Sequence, residues 1–285
     1  MFNQLKYYSQ LMRLDRPIGI YLLLWPTLWA LVLASEGAPD LKVLVVFVLG
    51  VIVMRSAGCV INDIADRKID GHVQRTKGRP LASGKVTTKA ALILFVILAV
   101  IALLLVMQLN SLTIRLSVVA IALAISYPFM KRFHSLPQMH LGMAFAWAVP
   151  MAYSAVTNEL PSLQGWLVFL VTILWTLAYD TMYALADKPD DIKIGVKSSA
   201  ILFGEKSRLI IGLLQISVLF IFVLIGYLGE MGWLYYLSLL VVILFMLYQQ
   251  YLLILSEQNN GVSAFLNNHL LGATVFIGIS LHFIY

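Results

Sequence analysis

The sequence predicts an all-α, polytopic membrane protein, a bundle of about nine transmembrane helices. Hydrophobic residues make up 61% of the 285 positions and charged residues only 12%, which is about half the charged fraction of a soluble domain. Several continuous apolar runs approach or exceed the ~20 residues that cross a bilayer. Lipid offers no hydrogen-bond partners to the backbone, so runs of this length span as helices, and they lack the short alternating pattern of barrel strands.

Nine apolar segments account for most of the chain, and we therefore expect a single membrane domain over residues 1–285. The N-terminal stretch lacks the apolar core and small-residue cleavage site of a secretory signal, so none is expected. The predicted spans cover residues 18–36, 42–61, 89–108, 112–130, 139–157, 163–182, 207–228, 233–254 and 265–284.

Lysine and arginine are distributed unevenly between the two sides of this arrangement. Of the 20 basic residues, 17 fall in the N-terminal tail or in the loops after the second, fourth and sixth spans. Positive charge marks the cytoplasmic side, which predicts a cytoplasmic N-terminus and a C-terminus on the opposite side. A bacterial cytoplasmic (inner) membrane, with a periplasmic C-terminus, is the simplest location, and an organelle inner membrane is the alternative. The net charge of +6 follows from this bias, so no nucleic-acid partner is expected. The single cysteine, Cys59, excludes an internal disulfide.

Half of the 14 acidic residues lie in two short windows, each at the end of an apolar run. By the span count, both windows lie at the cytoplasmic face, where they can face each other. We call them the first and second acidic windows. The first contains Asp63, Asp66 and Asp70, and the second contains Asp180, Asp187, Asp190 and Asp191.

Helical spacing places these carboxylates on shared faces. Asn62, Asp66 and Asp70 recur at i, i+4 and i+8, so they share one flank if the helix continues past the apolar run. In the second window, Pro189 disfavours α geometry at the preceding residue, which predicts helical facing up to Asp187 but not as far as Asp191.

Stacked carboxylates repel unless a cation lies between them. Oxygen ligands suit Mg²⁺, which prefers one or two protein carboxylates together with phosphate oxygens and water. For one window alone, local pairing of solvated aspartates with neighbouring Arg67 and Lys68 is the better explanation. Two windows at one membrane face favour instead a diphosphate held through Mg²⁺.

Several strings resemble a known family. "NDIADRKID" (62–70) and "DTMYALADKPDD" (180–191) resemble the two aspartate-rich signatures of the UbiA superfamily of intramembrane prenyltransferases. "RPIGIYLLLWPTLWAL", "MRSAGCVIND", "HVQRTKGRPLASG", "YPFMKR" and "KIGVKSSAILFG" are similar, in order, to the 4-hydroxybenzoate polyprenyltransferases of ubiquinone biosynthesis. Pro189 departs from the usual form of the second signature.

The resemblance implies a helical bundle with its active site opening at the cytoplasmic side. It also implies transfer of a polyprenyl group from polyprenyl diphosphate to 4-hydroxybenzoate, ortho to the hydroxyl, with release of diphosphate and a requirement for Mg²⁺. The implied metal ligands are Asn62, Asp66 and Asp70 on one side and Asp187 and Asp191 on the other.

Ionisation of an allylic diphosphate needs positive charge near the leaving group. The candidate cations are Arg16, Arg67, Lys68, Lys131 and Arg132. Each has a second interpretation, the positive-inside rule alone, and for Arg16 an anchor at the lipid headgroups.

The carbocation needs a pocket poor in water, and aromatic faces stabilise cations. Tyr183, within the second signature, is the aromatic candidate.

Intramembrane Arg55 needs a partner, and two interpretations stay open: the acceptor carboxylate or a core aspartate. Asp191 is a candidate base for the phenol proton. The loop "RTKGRPLASG", with Arg75 and Arg79, suits a basic lid over the site.

Two other functions, a phosphotransferase and a transporter, fit the sequence less well. A CDP-alcohol phosphotransferase fails on spacing, because "DRKIDGHVQR" has one residue too many between its aspartates and no second signature follows. A cation transporter would place isolated charges near the bilayer centre within an inverted repeat. Homogentisate or naphthoate remain alternative acceptors, and the prenyl chain length cannot be read from the sequence.

Overall fold

The computed structural model describes residues 2–73 and 75–285, and within these ranges the regular structure is helical. The α-helices are α1 (Phe2–Leu11), α2 (Ile18–Ala34), α3 (Leu41–Asp66), α4 (Thr88–Val106), α5 (Ser111–Phe133), α6 (Pro137–Ala146), α7 (Ala148–Thr157), α8 (Leu163–Ile194), α9 (Ser199–Phe203), α10 (Ser207–Leu228), α11 (Trp233–Leu255) and α12 (Glu257–Ile284). The all-α prediction is confirmed.

The count of nine spans is not confirmed. Among the described residues, seven helices are long and apolar enough to cross a membrane, and α2 has only 17 residues. The fifth predicted span is two ten-residue helices, α6 and α7, that meet at Trp147. Pro150 explains this break, because it has no N–H to donate to the carbonyl of Ala146.

The helix starts follow local capping chemistry. The side chain of Asp40 accepts bonds from the first backbone N–H groups of α3, at 2.8 Å from Lys42 N, and side chains do the same for α4, α5 and α8. The capping residues of those three helices are Thr87, Asn110 and Ser162.

Two predictions about the acidic windows are wrong in detail. Helix α3 ends at Asp66, and Asp70 begins a separate 3₁₀ turn, so Asn62, Asp66 and Asp70 do not form one helical stripe. Helix α8, by contrast, continues through Pro189 to Ile194. A proline within a helix removes one hydrogen bond, here to the carbonyl of Leu185, and a helix of 32 residues accommodates that loss.

Buried aromatic side chains join α2, α8 and α12. The indole of Trp29 donates to the carbonyl oxygen of Gly272 at 3.1 Å, and that of Trp175 donates to Asn268 Oδ1 at 2.8 Å. A Cβ on Gly272 would lie 2.8 Å from the ring of Trp175, so only glycine permits this approach. These contacts fix α8, which carries the second acidic window, against the helices beside it.

Candidate active site

A polar pocket of about 170 Å³ lies between the end of α3 and the C-terminal half of α8. Both acidic windows line it, so the prediction that they face each other is confirmed. The acidic and amide side chains around it are Asn62, Asp66, Asp70, Gln138, Asp180, Asp187 and Asp191.

The first window is buried and paired with cations from three other segments. The ammonium of Lys131, at the end of α5, donates to Asp66 Oδ2. The guanidinium of Arg79 donates to Asp70 Oδ2 at 2.9 Å and to Asp63 Oδ1 at 3.1 Å. Asp63 also accepts from Arg13 Nη2 at 2.8 Å. Attraction to these cations therefore offsets the repulsion among the three aspartates.

The second window is held by a loop arginine. Arg75 makes a two-pronged contact with Asp187, with Nε to Oδ1 at 2.8 Å and Nη2 to Oδ2 at 2.5 Å. Its guanidinium carbon lies 4.5 Å from the centre of the Tyr183 ring, within cation–π range. The loop between α3 and α4 is thus fastened across the pocket onto α8, as expected for the predicted basic lid.

The two loop arginines remain charged under all working conditions. Burial acts to lower the pKa of Arg75, but the hydrogen bond to Asp187 and the negative charge of that carboxylate raise it above the ordinary arginine value. Burial likewise opposes the charge of Arg79, and Asp63 and Asp70 outweigh it, so the pKa of Arg79 is also raised. Each guanidinium is therefore a permanent positive charge beside the pocket.

A larger cavity of about 1200 Å³ adjoins the polar pocket and shares lining residues with it. Asn62, Arg75, Arg79, Tyr183 and Asp180 line both spaces. Beyond them the wall is mainly apolar, formed by residues of α2, α3, α4, α5, α6, α7 and α12. A polar space and a mainly apolar space thus adjoin each other, which suits a ligand with a charged head and a hydrocarbon tail.

Arg55 lies in the wall of this cavity. One guanidinium nitrogen donates to Cys59 Sγ at 2.9 Å, while Nε is buried with no hydrogen-bond partner among the described residues. The Phe145 ring lies 5.9 Å away, and the backbone at Gly19 packs so closely that a Cβ there would collide with the guanidinium. Asp180 lines the same cavity. A buried arginine with an unused donor favours an anionic ligand.

The structure brings most, but not all, of the predicted site residues together. Arg16 lines the large cavity and Lys131 the polar pocket, along with the five predicted metal ligands and Tyr183. Arg67, Lys68 and Arg132 are not among the described residues that line either space. Arg132 donates to the backbone oxygen of Ala65 at 2.6 Å, so it joins α5 to α3 at the rim of the site.

Sequence reasoning assigned no role to Arg13, placed Asp180 in an acidic window without a specific role, and gave Arg79 only a general place in the lid. Arg13 lies in the N-terminal tail, 50 positions from its partner Asp63, and no spacing pattern predicts such a contact. Asp180 did carry a signal, because an ionisable residue within an apolar helix requires a partner or a ligand.

The donor set fits magnesium. Carboxylate and amide oxygens converge on the polar pocket, and Asp66 Oδ1 is buried with no hydrogen-bond partner in the described part of the chain. In those same residues no three acidic, histidine or cysteine side chains form a closed metal cage. Open sites with one or two carboxylates per ion, completed by phosphate oxygens, are what Mg²⁺ prefers.

Comparison with known proteins agrees with this geometry. A protein from Vibrio campbellii named 4-hydroxybenzoate octaprenyltransferase is 56% identical over 278 residues, which cover 98% of each chain. A solved UbiA homologue from Aeropyrum pernix has a TM-score of 0.81 at 26% identity, covering 92% of this chain and 97% of the other.

A UbiA homologue from Archaeoglobus fulgidus, solved with GPP and Mg²⁺ bound, shares the fold with a TM-score of 0.73 at 17% identity. The match covers 96% of this chain and 99% of that one. The model of the UbiA prenyltransferase family matches residues 23–275. The chain therefore belongs to the UbiA prenyltransferase family.

Proposed function

We propose that this prenyltransferase transfers a polyprenyl group from polyprenyl diphosphate to the carbon of 4-hydroxybenzoate ortho to its hydroxyl, releasing diphosphate. One observation carries the proposal: two acidic windows share a polar pocket that adjoins a large, mainly apolar cavity. The name of the Vibrio relative supports this acceptor and an octaprenyl donor.

The proposed metal ligands form two groups at the polar pocket, Asn62, Asp66 and Asp70 on one side and Asp187 and Asp191 on the other. When bound, Mg²⁺ supplies charge neutralisation for the departing diphosphate. The Mg²⁺ and GPP of the Archaeoglobus fulgidus structure support this choice of ion and of donor class.

The chain's own cations bind the diphosphate beside these carboxylates. Lys131 lines the polar pocket, and Arg75 and Arg79 line both spaces at their junction. Once the donor is bound, their N–H groups are fixed on the diphosphate before it ionises, so stabilising the charge on the leaving group requires little further reorganisation. Arg16 lines the large cavity close to the same junction.

Arg55 and Asp180 mark the place for the acceptor. The unused Nε donor of Arg55 suits the carboxylate of 4-hydroxybenzoate, and the neighbouring Phe145 ring offers an apolar face to the aromatic ring. Asp191, at the polar pocket, takes the phenol proton, which makes the ring carbon more nucleophilic.

The apolar walls keep water away from the allylic cation, which water would otherwise capture. Tyr183 lines both spaces and presents its ring at the point where they meet. Its face stabilises positive charge, as it does for the Arg75 guanidinium.

The chain is a multi-pass membrane protein, and we place it in the bacterial cytoplasmic membrane with a cytoplasmic N-terminus and a periplasmic C-terminus. The concentration of lysine and arginine in alternate loops supports this orientation. The polar pocket then opens to the cytoplasm, which supplies both magnesium and the water-soluble acceptor.

The test is transfer by the purified protein in proteoliposomes containing octaprenyl diphosphate and Mg²⁺. The acceptors are 4-hydroxybenzoate, homogentisate, dihydroxynaphthoate and phenol, each assayed separately by mass spectrometry. We expect a ring-prenylated product with 4-hydroxybenzoate and little with phenol, which lacks the carboxylate. Preference for another acceptor would refute the substrate assignment, and no product with any of them would refute prenyl transfer to an aromatic ring.

A further inference from the structure

Asp63 forms ion pairs with two arginines, although it is not one of the proposed metal ligands. Its side chain is only 1% exposed, yet it accepts hydrogen bonds from two arginines. Arg13 Nη2 contacts both of its oxygens, at 2.8 Å and 3.0 Å, and Arg79 Nη1 contacts Oδ1 at 3.1 Å. The two arginines come from the N-terminal tail and from the loop between α3 and α4.

Arg79 is shared between two aspartates. The nitrogen that contacts Asp63 also contacts Asp70, at 2.9 Å and 3.1 Å. A guanidinium has five N–H donors, so Arg79 can release Asp70 and keep its contact with Asp63. Without Asp63, the whole charge of Arg79 would pair with Asp70 and compete directly with a metal ion there.

Arg79 lies at the proposed diphosphate site, and Arg13 lies in the cavity that adjoins it. Arg13, Asp63 and Arg79 all line the large cavity, and Arg79 lines the polar pocket as well. Asp63 itself is absent from the described lining of the polar pocket, where the proposed metal ligands converge. Its position is therefore behind the arginines rather than among the ligands.

We propose that Asp63 is a positioning residue that holds Arg13 and Arg79 at the entrance of the polar pocket as a two-arginine binding site for the diphosphate. This inference rests on the proposed function and names the residues that serve the leaving group. As the donor enters, Arg79 exchanges its contacts with Asp70 for contacts with diphosphate oxygens, while Asp63 keeps the guanidinium in place. Asp70 is then free for the metal.

A purely structural role of Asp63 would have different consequences. If the Arg13–Asp63 pair only fastened the N-terminal tail to α3, its loss would lower thermal stability without changing one substrate preferentially. A positioning role changes recognition of the diphosphate and leaves the acceptor unaffected. It also makes Asp63 and Arg79 energetically dependent on each other, since residues of one network are not additive.

The experiment is a double-mutant cycle with Asp63→Asn, Arg79→Gln and the combined variant in full-length protein. KM is measured for octaprenyl diphosphate and for 4-hydroxybenzoate, and binding of inorganic diphosphate is measured by calorimetry. We expect each single variant to raise KM for the donor and weaken diphosphate binding roughly tenfold, within the range of pair couplings. KM for 4-hydroxybenzoate stays near the wild-type value, and the combined variant resembles Arg79→Gln alone.

Additive effects in the cycle, or equal rises in both KM values, would overturn the inference. Asp63→Glu, which keeps the charge, should recover part of the donor affinity, and Glu205→Gln, an exposed carboxylate away from both cavities, is the matched control. If Asp63→Asn does not fold, Arg13→Gln and Arg79→Gln decide the question, because each must then weaken diphosphate binding selectively. A wild type that transfers no prenyl group refutes the proposed function, and diphosphate binding still tests this inference.

Discussion

The two acidic windows both contain several closely spaced aspartates, but they differ in how the structure holds them. In the first, α3 ends and the aspartates are almost fully buried, with side chains of Asp63 and Asp66 at 1% and 2% exposure. In the second, α8 continues through the window, and the Asp187 side chain is 16% exposed. Cations from α5, the N-terminal tail and the following loop pair with the first window, whereas Asp187 in the second pairs with one loop arginine.

This difference indicates how the site is assembled. The first window is preorganised, because its charges are compensated before a ligand arrives and by residues from several elements. The second is a rigid helical face whose access depends on the loop that Arg75 attaches to it. Changes at the proposed metal ligands of the first window should therefore affect the chemistry most, and changes at the loop should affect binding of the donor.

The largest expected effect follows from Asp66→Asn. It removes the charge of a buried carboxylate whose Oδ1 has no hydrogen-bond partner among the described residues, and we expect the transfer rate to fall by about 100- to 1,000-fold. The measurement is product formation at saturating Mg²⁺ and substrates, with Glu205→Gln as the control. A rate near that of the wild type would show that the first window is not the more important one.

Asp191→Asn tests the second window. We expect kcat to fall by about 100-fold, the lower end of the range for losing a general base, with KM for the donor changing less. Single-turnover rates across pH separate loss of the base from loss of metal binding. Full turnover with an unchanged Mg²⁺ requirement would exclude Asp191 as the base.

Arg75→Gln tests the attachment of the loop. Charge-assisted hydrogen bonds contribute about 1.5–3 kcal/mol, and we expect a rise of roughly tenfold in KM for octaprenyl diphosphate with a small change in kcat. Arg208→Gln, an exposed arginine at the start of α10, is the matched control. A loss in kcat with KM unchanged would place Arg75 in the chemical step.

The smallest effect is expected from Pro189→Ala. Restoring an N–H within α8 removes a helix defect that costs up to about 3 kcal/mol, so the midpoint of thermal unfolding should rise while transfer stays close to wild type. The unfolding midpoint is measured by circular dichroism on detergent-solubilised protein, and transfer is measured by product formation. A large loss of transfer would show that the proline shapes the position of Asp191.

Much of this organisation was predictable from the sequence. Apolar runs predicted the helices, and two acidic windows at one face predicted a shared pocket, because membrane burial makes any charge expensive unless it has a partner. The predicted helix boundaries were wrong where local backbone chemistry decides them. Helix α3 ends at Asp66, α8 continues through Pro189, and the fifth span breaks before Pro150. Contacts such as Arg13 with Asp63 depend on how distant segments pack, and no spacing in the sequence encodes them.

We propose that the two acidic windows hold a diphosphate between them through one metal ion each. Electron paramagnetic resonance tests this by counting the Mn²⁺ ions bound per chain in the presence of a prenyl diphosphate. We expect two ions for the wild type, one for Asp66→Asn and one for Asp187→Asn, with weak binding when the diphosphate is omitted. Loss of no ion in either variant, or tight binding without diphosphate, would contradict it.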